Sequence, residues 1–155
     1  MFIVLIVLVM FVFPTAFILN DMLFLKLNTG LMFLGGKWFV FWGIGIRLFT
    51  AGLKQALQPH FTAIDIFGIT DTKSNVIVRE LGFANISIGL LGILSLLNST
   101  WIFPSAIAGG SFYALATLQH LLRKGKNTIE KVVTVSDLFM FLILFIYILG
   151  TLSNQ

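Results

Sequence analysis

No cysteine occurs in the 155 residues. Disulfides, thiolate metal sites and a cysteine nucleophile are thereby excluded. Charge is almost as scarce: charged residues make up 10% of the chain, against about 25% in soluble domains. Histidine occurs twice, at His60 and His120. Recognisable catalytic motifs are absent too. There is no His-x-x-x-His pair, no glycine-rich phosphate loop after a strand and no serine elbow, so neither nucleophilic catalysis nor a cofactor is evident from a motif.

What fills the chain instead is apolar. Hydrophobic residues account for 58%, with 17 phenylalanines, and the mean hydropathy is +1.02. A water-soluble fold of this size would leave too much apolar surface exposed. The composition predicts an all-α integral membrane helical bundle, a single domain over 1–155 with five candidate transmembrane helices at about 2–19, 38–57, 81–103, 105–122 and 138–152. The count falls to four if the first is a cleaved signal peptide or lies in the interface. That segment lacks a basic n-region and is long for an h-region, which favours retention. Pro14 either kinks it or marks its end. The net charge of +4 does not indicate nucleic-acid binding, because the basic residues flank apolar runs, where they set topology and meet anionic lipid.

The connectors have distinct characters. Residues 20–37 carry turn signals at Asn28-Thr29-Gly30 and Gly35-Gly36 and are expected to hug the interface. Trp38 and Trp42 suit an interfacial anchor. The second span holds Arg47 near its middle, where a cation costs about 2.5–3.5 kcal/mol on insertion scales. It must face a partner, a cavity or a lipid phosphate, or else snorkel to the headgroups. Residues 58–78 form the longest polar connector, read as a surface amphipathic piece, a lid or a re-entrant loop.

The third span organises the rest. It is a segment of 23 uncharged residues, 81–103, with Arg79 and Glu80 at its mouth. Gly82, Asn85, Gly89, Gly92, Ser95 and Ser99 recur at helical spacing on one face, and small residues let another helix approach closely in lipid. The fourth span is also rich in small residues, including Gly109-Gly110-Ser111, read as packing. A close hairpin of spans three and four is expected, broken at Asn98-Ser99-Thr100 and Pro104. Ser136-Asp137 is read as opening the last span, with Asp137 as an N-cap or an acid inside the bilayer edge.

Lysine and arginine beside the loops divide seven against two. Lys54, Lys73, Arg79, Arg123, Lys124, Lys126 and Lys131 lie on one side, and Lys26 and Lys37 on the other. This asymmetry puts the N-terminus in the cytoplasm and the C-terminus outside. Arg79, Glu80, Asn85, Gln119, His120 and Asp137 would then converge at the cytoplasmic face, with Arg47 joining from the second span. Tyr113 and Thr117 share the His120 face. The cluster either ties helix ends together or opens on a cavity where a carboxylate and an imidazole pass protons or hold a headgroup. Bis-histidine haem ligation would require His60 to reach the fourth span.

Four stretches carry a resemblance: residues 58–68 (QPHFTAIDIFG), 78–85 (VRELGFAN), 106–113 (AIAGGSFY) and 135–138 (VSDL). Together they resemble a family of small bacterial membrane proteins catalogued only as a domain of unknown function, over roughly residues 40–150. The resemblance implies a multi-span helical bundle in the bacterial cytoplasmic membrane and brings no activity, substrate or cofactor. A looser likeness in size and helix number is to DoxX-like four-helix membrane proteins, some linked with quinone or redox partners.

The expected function is non-catalytic binding of membrane lipid, a small apolar molecule or a protein partner through the polar cluster. The alternatives are a quinone- or haem-associated redox protein and a subunit of an oligomeric transporter or channel. A homo-oligomer or a membrane protein partner fits the small-residue faces.

Overall fold

The computed structural model describes residues 2–25 and 29–153. Asn28 of the turn signal, Lys26 of the charge asymmetry and the tail residues Asn154 and Gln155 lie outside them. Among the described residues there are helices and no strands. Five helices are long and apolar enough to cross a membrane: α1, Ile3–Leu23; α2, Leu31–Leu57; α3, Ser74–Leu94; α4, Ile102–Leu122 after a 3-10 turn at Ser99–Trp101; and α5, Thr128–Leu152. Large apolar side chains such as Leu19, Ile77, Phe83, Leu97, Leu115, Val135 and Ile146 stay exposed on the outside. The chain is an all-α, multi-pass membrane protein whose outer surface is made for lipid.

Several helices begin earlier than hydropathy alone suggests. α2 starts seven residues before Trp38, so Gly35-Gly36 lies within a helix instead of a turn. Gly36 is kept there because the Tyr147 ring of α5 occupies the space a Cβ would need. Trp38 is not a free interfacial anchor either. Its Nε1 donates to Asp21 Oδ2 at 2.8 Å, and Lys37 Nζ donates to the same oxygen at 3.0 Å. This buried carboxylate ties the end of α1 to the start of α2.

Pro14 lies inside α1. Its missing N–H is passed by a wide π turn at Leu8–Val12, and the Thr15 hydroxyl donates to the Phe11 carbonyl at 2.7 Å. A second π stretch, Val40–Ile46, leads into Arg47.

The glycine stripe of α3 meets α2, not α4, and this corrects the expected hairpin of spans three and four. A Cβ placed on Gly92 would stand 2.5 Å from the Gly45 nitrogen, and one on Gly89 2.5 Å from the Phe49 nitrogen. α2 has glycines of its own at the matching levels, so the two backbones close on each other. The small residues of α4 serve other neighbours. Gly109 faces Ile44 of α2, while Gly110 faces Leu144 and Ile148 of α5. Between these pairs lies the shared core of Met10, Val40, Ile44, Ile102, Met140 and Leu144.

α5 begins at Thr128, ten residues before the expected start. Asn127 is the N-cap, its side chain accepting from the Glu130 amide at 2.8 Å. Asp137 is therefore neither a cap nor at a helix end. It is buried more than two turns inside α5.

Candidate functional site

Four helices and one short surface segment enclose a cavity of about 280 Å³. α2 contributes Arg47, Leu48, Ala51 and Gln55; α3 contributes Leu81 and Asn85. Phe112, Tyr113, Leu115, Ala116, Gln119 and His120 come from α4, and Val133 and Asp137 from α5. Ile66 and Phe67 close it from the connector between α2 and α3. Six of the polar residues singled out in the sequence are brought together here: Arg47, Asn85, Tyr113, Gln119, His120 and Asp137.

Depth gives the charged members their meaning. Arg47 stands ten residues from the end of α2 and Asp137 nine from the start of α5. At about 1.5 Å per residue, both are roughly 14–15 Å in from the nearer end of their helices. The ion pairs among the described residues are Lys37–Asp21, His120–Glu130 and Arg123–Glu130. Arg47 and Asp137 line one cavity with no ion pair joining them, and Arg47 Nε is buried with no hydrogen-bond partner. Asn85, 2% exposed, is half-satisfied. Its Nδ2 donates to Gln55 Oε1 at 2.7 Å, while Oδ1 is buried and unpartnered. Unpaired polar atoms at such depth are costly unless something fills the space between them.

Tyr113 plays a different part. Its hydroxyl donates to the Gly43 carbonyl in the π stretch of α2, taking up a carbonyl where the regular ladder is disturbed. Its ring forms a wall of the cavity.

Arg79 and Glu80 do not join the site. Both are exposed and outside the cavity lining. The buried face of α3 is Val78, Gly82, Asn85, Gly89 and Gly92. One and two positions beyond Val78, a helix has turned by about 100° and 200°, so Arg79 and Glu80 leave that face.

The carboxylate that engages His120 is Glu130, which sequence reasoning passed over as part of a basic loop. Glu130 is 1% exposed. Its Oε1 lies 3.1 Å from His120 Nδ1 and 3.5 Å from the nearer Arg123 guanidinium nitrogen. A signal was present. Asn127 followed three residues later by glutamate marks a helix start, and Glu130 precedes Asp137 by seven residues, two turns along one face.

Above this pair, the connector folds over the cavity mouth as a short helix, Pro59–Phe61, continued by a π turn, Thr62–Ile66. Thr62 and Ala63 are the buried residues of that turn. The Phe67 ring stacks on His120 with centroids 6.0 Å apart and planes 17° apart. Arg123 donates to the Phe67 carbonyl, and Asn127 Nδ2 donates to the Asp65 carbonyl at 2.8 Å. Gly68 ends the piece at φ 63°, a left-handed conformation that favours glycine. His60 is exposed on this segment, and His120 is engaged by Glu130. No group of three His, Cys, Asp or Glu among the described residues could hold a metal ion.

No family model matches the chain, and neither a curated protein nor a solved structure matches it.

Proposed function

We propose that this is a binding protein of the bacterial cytoplasmic membrane and that the cavity holds a small zwitterionic or amphipathic molecule. The observation that carries the reading is the trio Arg47, Asn85 and Asp137. Three helices deliver a cation, an unpartnered amide oxygen and a carboxylate to one cavity of about 280 Å³. An anionic group of the ligand meets Arg47, and a donor such as an ammonium meets Asp137 and Asn85 Oδ1. The apolar walls, Leu48, Phe112, Leu115 and Val133 among them, take its carbon skeleton.

His120 belongs to the closure of this site and not to ligand contact, because Glu130 and the Phe67 ring already occupy it. The excess of lysine and arginine on the connectors at the cavity mouth supports a cytoplasmic opening. The resemblance to small bacterial membrane proteins supports the choice of membrane.

The test is a thermal-stability screen of the full-length protein in mild detergent against free amino acids and lysophosphatidylethanolamine, with native mass spectrometry of the same preparation. A stabilising zwitterion or a co-purified mass, lost in Asn85→Ala and Asp137→Asn, is the expected result. A bare protein indifferent to the whole panel would overturn the reading.

A further inference from the structure

Arg47 lines two spaces. Besides the interior cavity it borders a groove of about 150 Å³ between α1 and α2, shared with Leu5, Ile6, Val9, Thr50, Ala51 and Lys54. The chemistry of this groove differs from that of the cavity. Among the described residues that line it, the two charged ones are both cations and none is an acid. The Thr50 hydroxyl donates back to the Ile46 carbonyl at 2.7 Å, so it offers the groove acceptor capacity alone.

Position completes the argument. Lys54 sits in the last turn of α2, with its Nζ 3.3 Å from the Phe61 ring centroid. Arg47 lies two turns deeper, about 10 Å along the axis, and long basic side chains extend toward the headgroup level. On α1 the groove is walled by Leu5, Ile6 and Val9, with Leu5 51% exposed at its edge. Cations on α2 thus face aliphatic side chains on α1 across the groove. The volume suits a phosphate and the adjoining glycerol, with the chains lying outside.

We infer that the α1–α2 groove binds one anionic phospholipid, its phosphodiester held between Arg47 and Lys54 and its acyl chains running on past Val9 along the outer face of α1. Basic pockets between transmembrane helices recognise anionic headgroups by the same pairing of charge and depth. Because Arg47 also borders the interior cavity, lipid in the groove and ligand in the cavity draw on one guanidinium. With the cavity empty, lipid affinity rests on the groove residues alone.

The experiment is native mass spectrometry of the full-length protein in mild detergent, titrated with dioleoylphosphatidylglycerol or dioleoylphosphatidylcholine. One phosphatidylglycerol is expected to bind at least tenfold more tightly than phosphatidylcholine. Lys54→Gln and Arg47→Gln should each weaken it roughly tenfold, the loss of one charge-assisted contact, while Arg47→Lys keeps most of the affinity. Asn85→Ala, which alters the interior cavity without changing a charge, should leave it unchanged. Equal binding of the two lipids, or an unchanged preference in Lys54→Gln, overturns the proposal. Lys54→Gln lies in the last helical turn and keeps the test decisive even if Arg47→Gln does not fold. Displacement of the lipid by glycerol 3-phosphate at equal concentration would assign the groove to soluble phosphates and also overturn it.

Discussion

Gly52 of α2 and Gly82 of α3 meet backbone to backbone. A Cβ placed on Gly52 would stand 2.6 Å from the Gly82 carbonyl oxygen, and one on Gly82 would stand 2.8 Å from the Gly52 carbonyl oxygen. Lipid tails are as apolar as leucine, so burial from water does not hold these helices together. Close packing does.

Gly82→Ala should therefore destabilise the bundle by about 1–3 kcal/mol, the range for forcing extra volume into a packed contact, although alanine is the better helix former. Gly110→Ala provides the contrast. Its nearest neighbour would be Leu144 Cβ at 3.5 Å, an ordinary contact, so that variant should be neutral or stabilised by up to about 1 kcal/mol. Unfolding in mixed detergent micelles measures both. Equal effects of the two substitutions would refute the close-packing account.

Glu130 is the buried acid between His120 and Arg123. Glu130→Ala should cost about 3 kcal/mol, the low end for breaking a buried pair, because Arg123 keeps partial access to solvent. Glu130→Gln should cost less than half as much, since its amide oxygen still accepts from both partners. Unfolding in mixed micelles reads both values.

Arg79→Gln and Glu80→Gln should each change stability by no more than about 0.5 kcal/mol, as for surface substitutions generally. Both should also leave any ligand-induced stabilisation intact. A loss of binding in either would place α3 in a different rotation from the one described.

Arg123 latches the connector through the Phe67 carbonyl. Arg123→Gln should speed hydrogen exchange at the Gly68 and Ile69 amides, which donate to Ile64 and Ala63 carbonyls at 2.9 and 2.8 Å. The expected change is roughly tenfold, or about 1.4 kcal/mol of local opening. Exchange in the middle of α3 should not change, and a global increase would mean that the latch supports the whole bundle.

Asn85→Ala separates packing from binding. Loss of the bond to Gln55 should cost about 0.6–1.7 kcal/mol, as for hydrogen bonds between membrane helices. Stabilisation by the zwitterion that the screen identifies should vanish altogether. A variant that loses stability yet still responds to the ligand would move the site away from Asn85.

Much of this was legible in the residues, and the limits of legibility have identifiable causes. The break near Asn98 and the long apolar helices follow from local chemistry. Arg47 had to face a cavity, a partner or a phosphate because a cation is expensive at that depth, and it lines a cavity and a groove. The starts of α2, α3 and α5 were read late, because Lys37, Arg79 and Lys131 look like loop residues when charge alone marks the edge. Helices continue past such residues when their backbone bonds are made within the helix, and Glu130 was overlooked for that reason.

By itself, the sequence determined an all-α membrane bundle, the approximate spans, and a set of polar residues too costly to sit in lipid without purpose. Those properties depend on hydropathy, length and spacing, which are local. The tertiary structure alone decided that the α3 glycines meet α2, that Glu130 and not Glu80 engages His120, and that Arg47 and Asp137 share one cavity. Each of these depends on how helices rotate about their axes against their neighbours. Interlocking surfaces settle that rotation, and no single segment carries them.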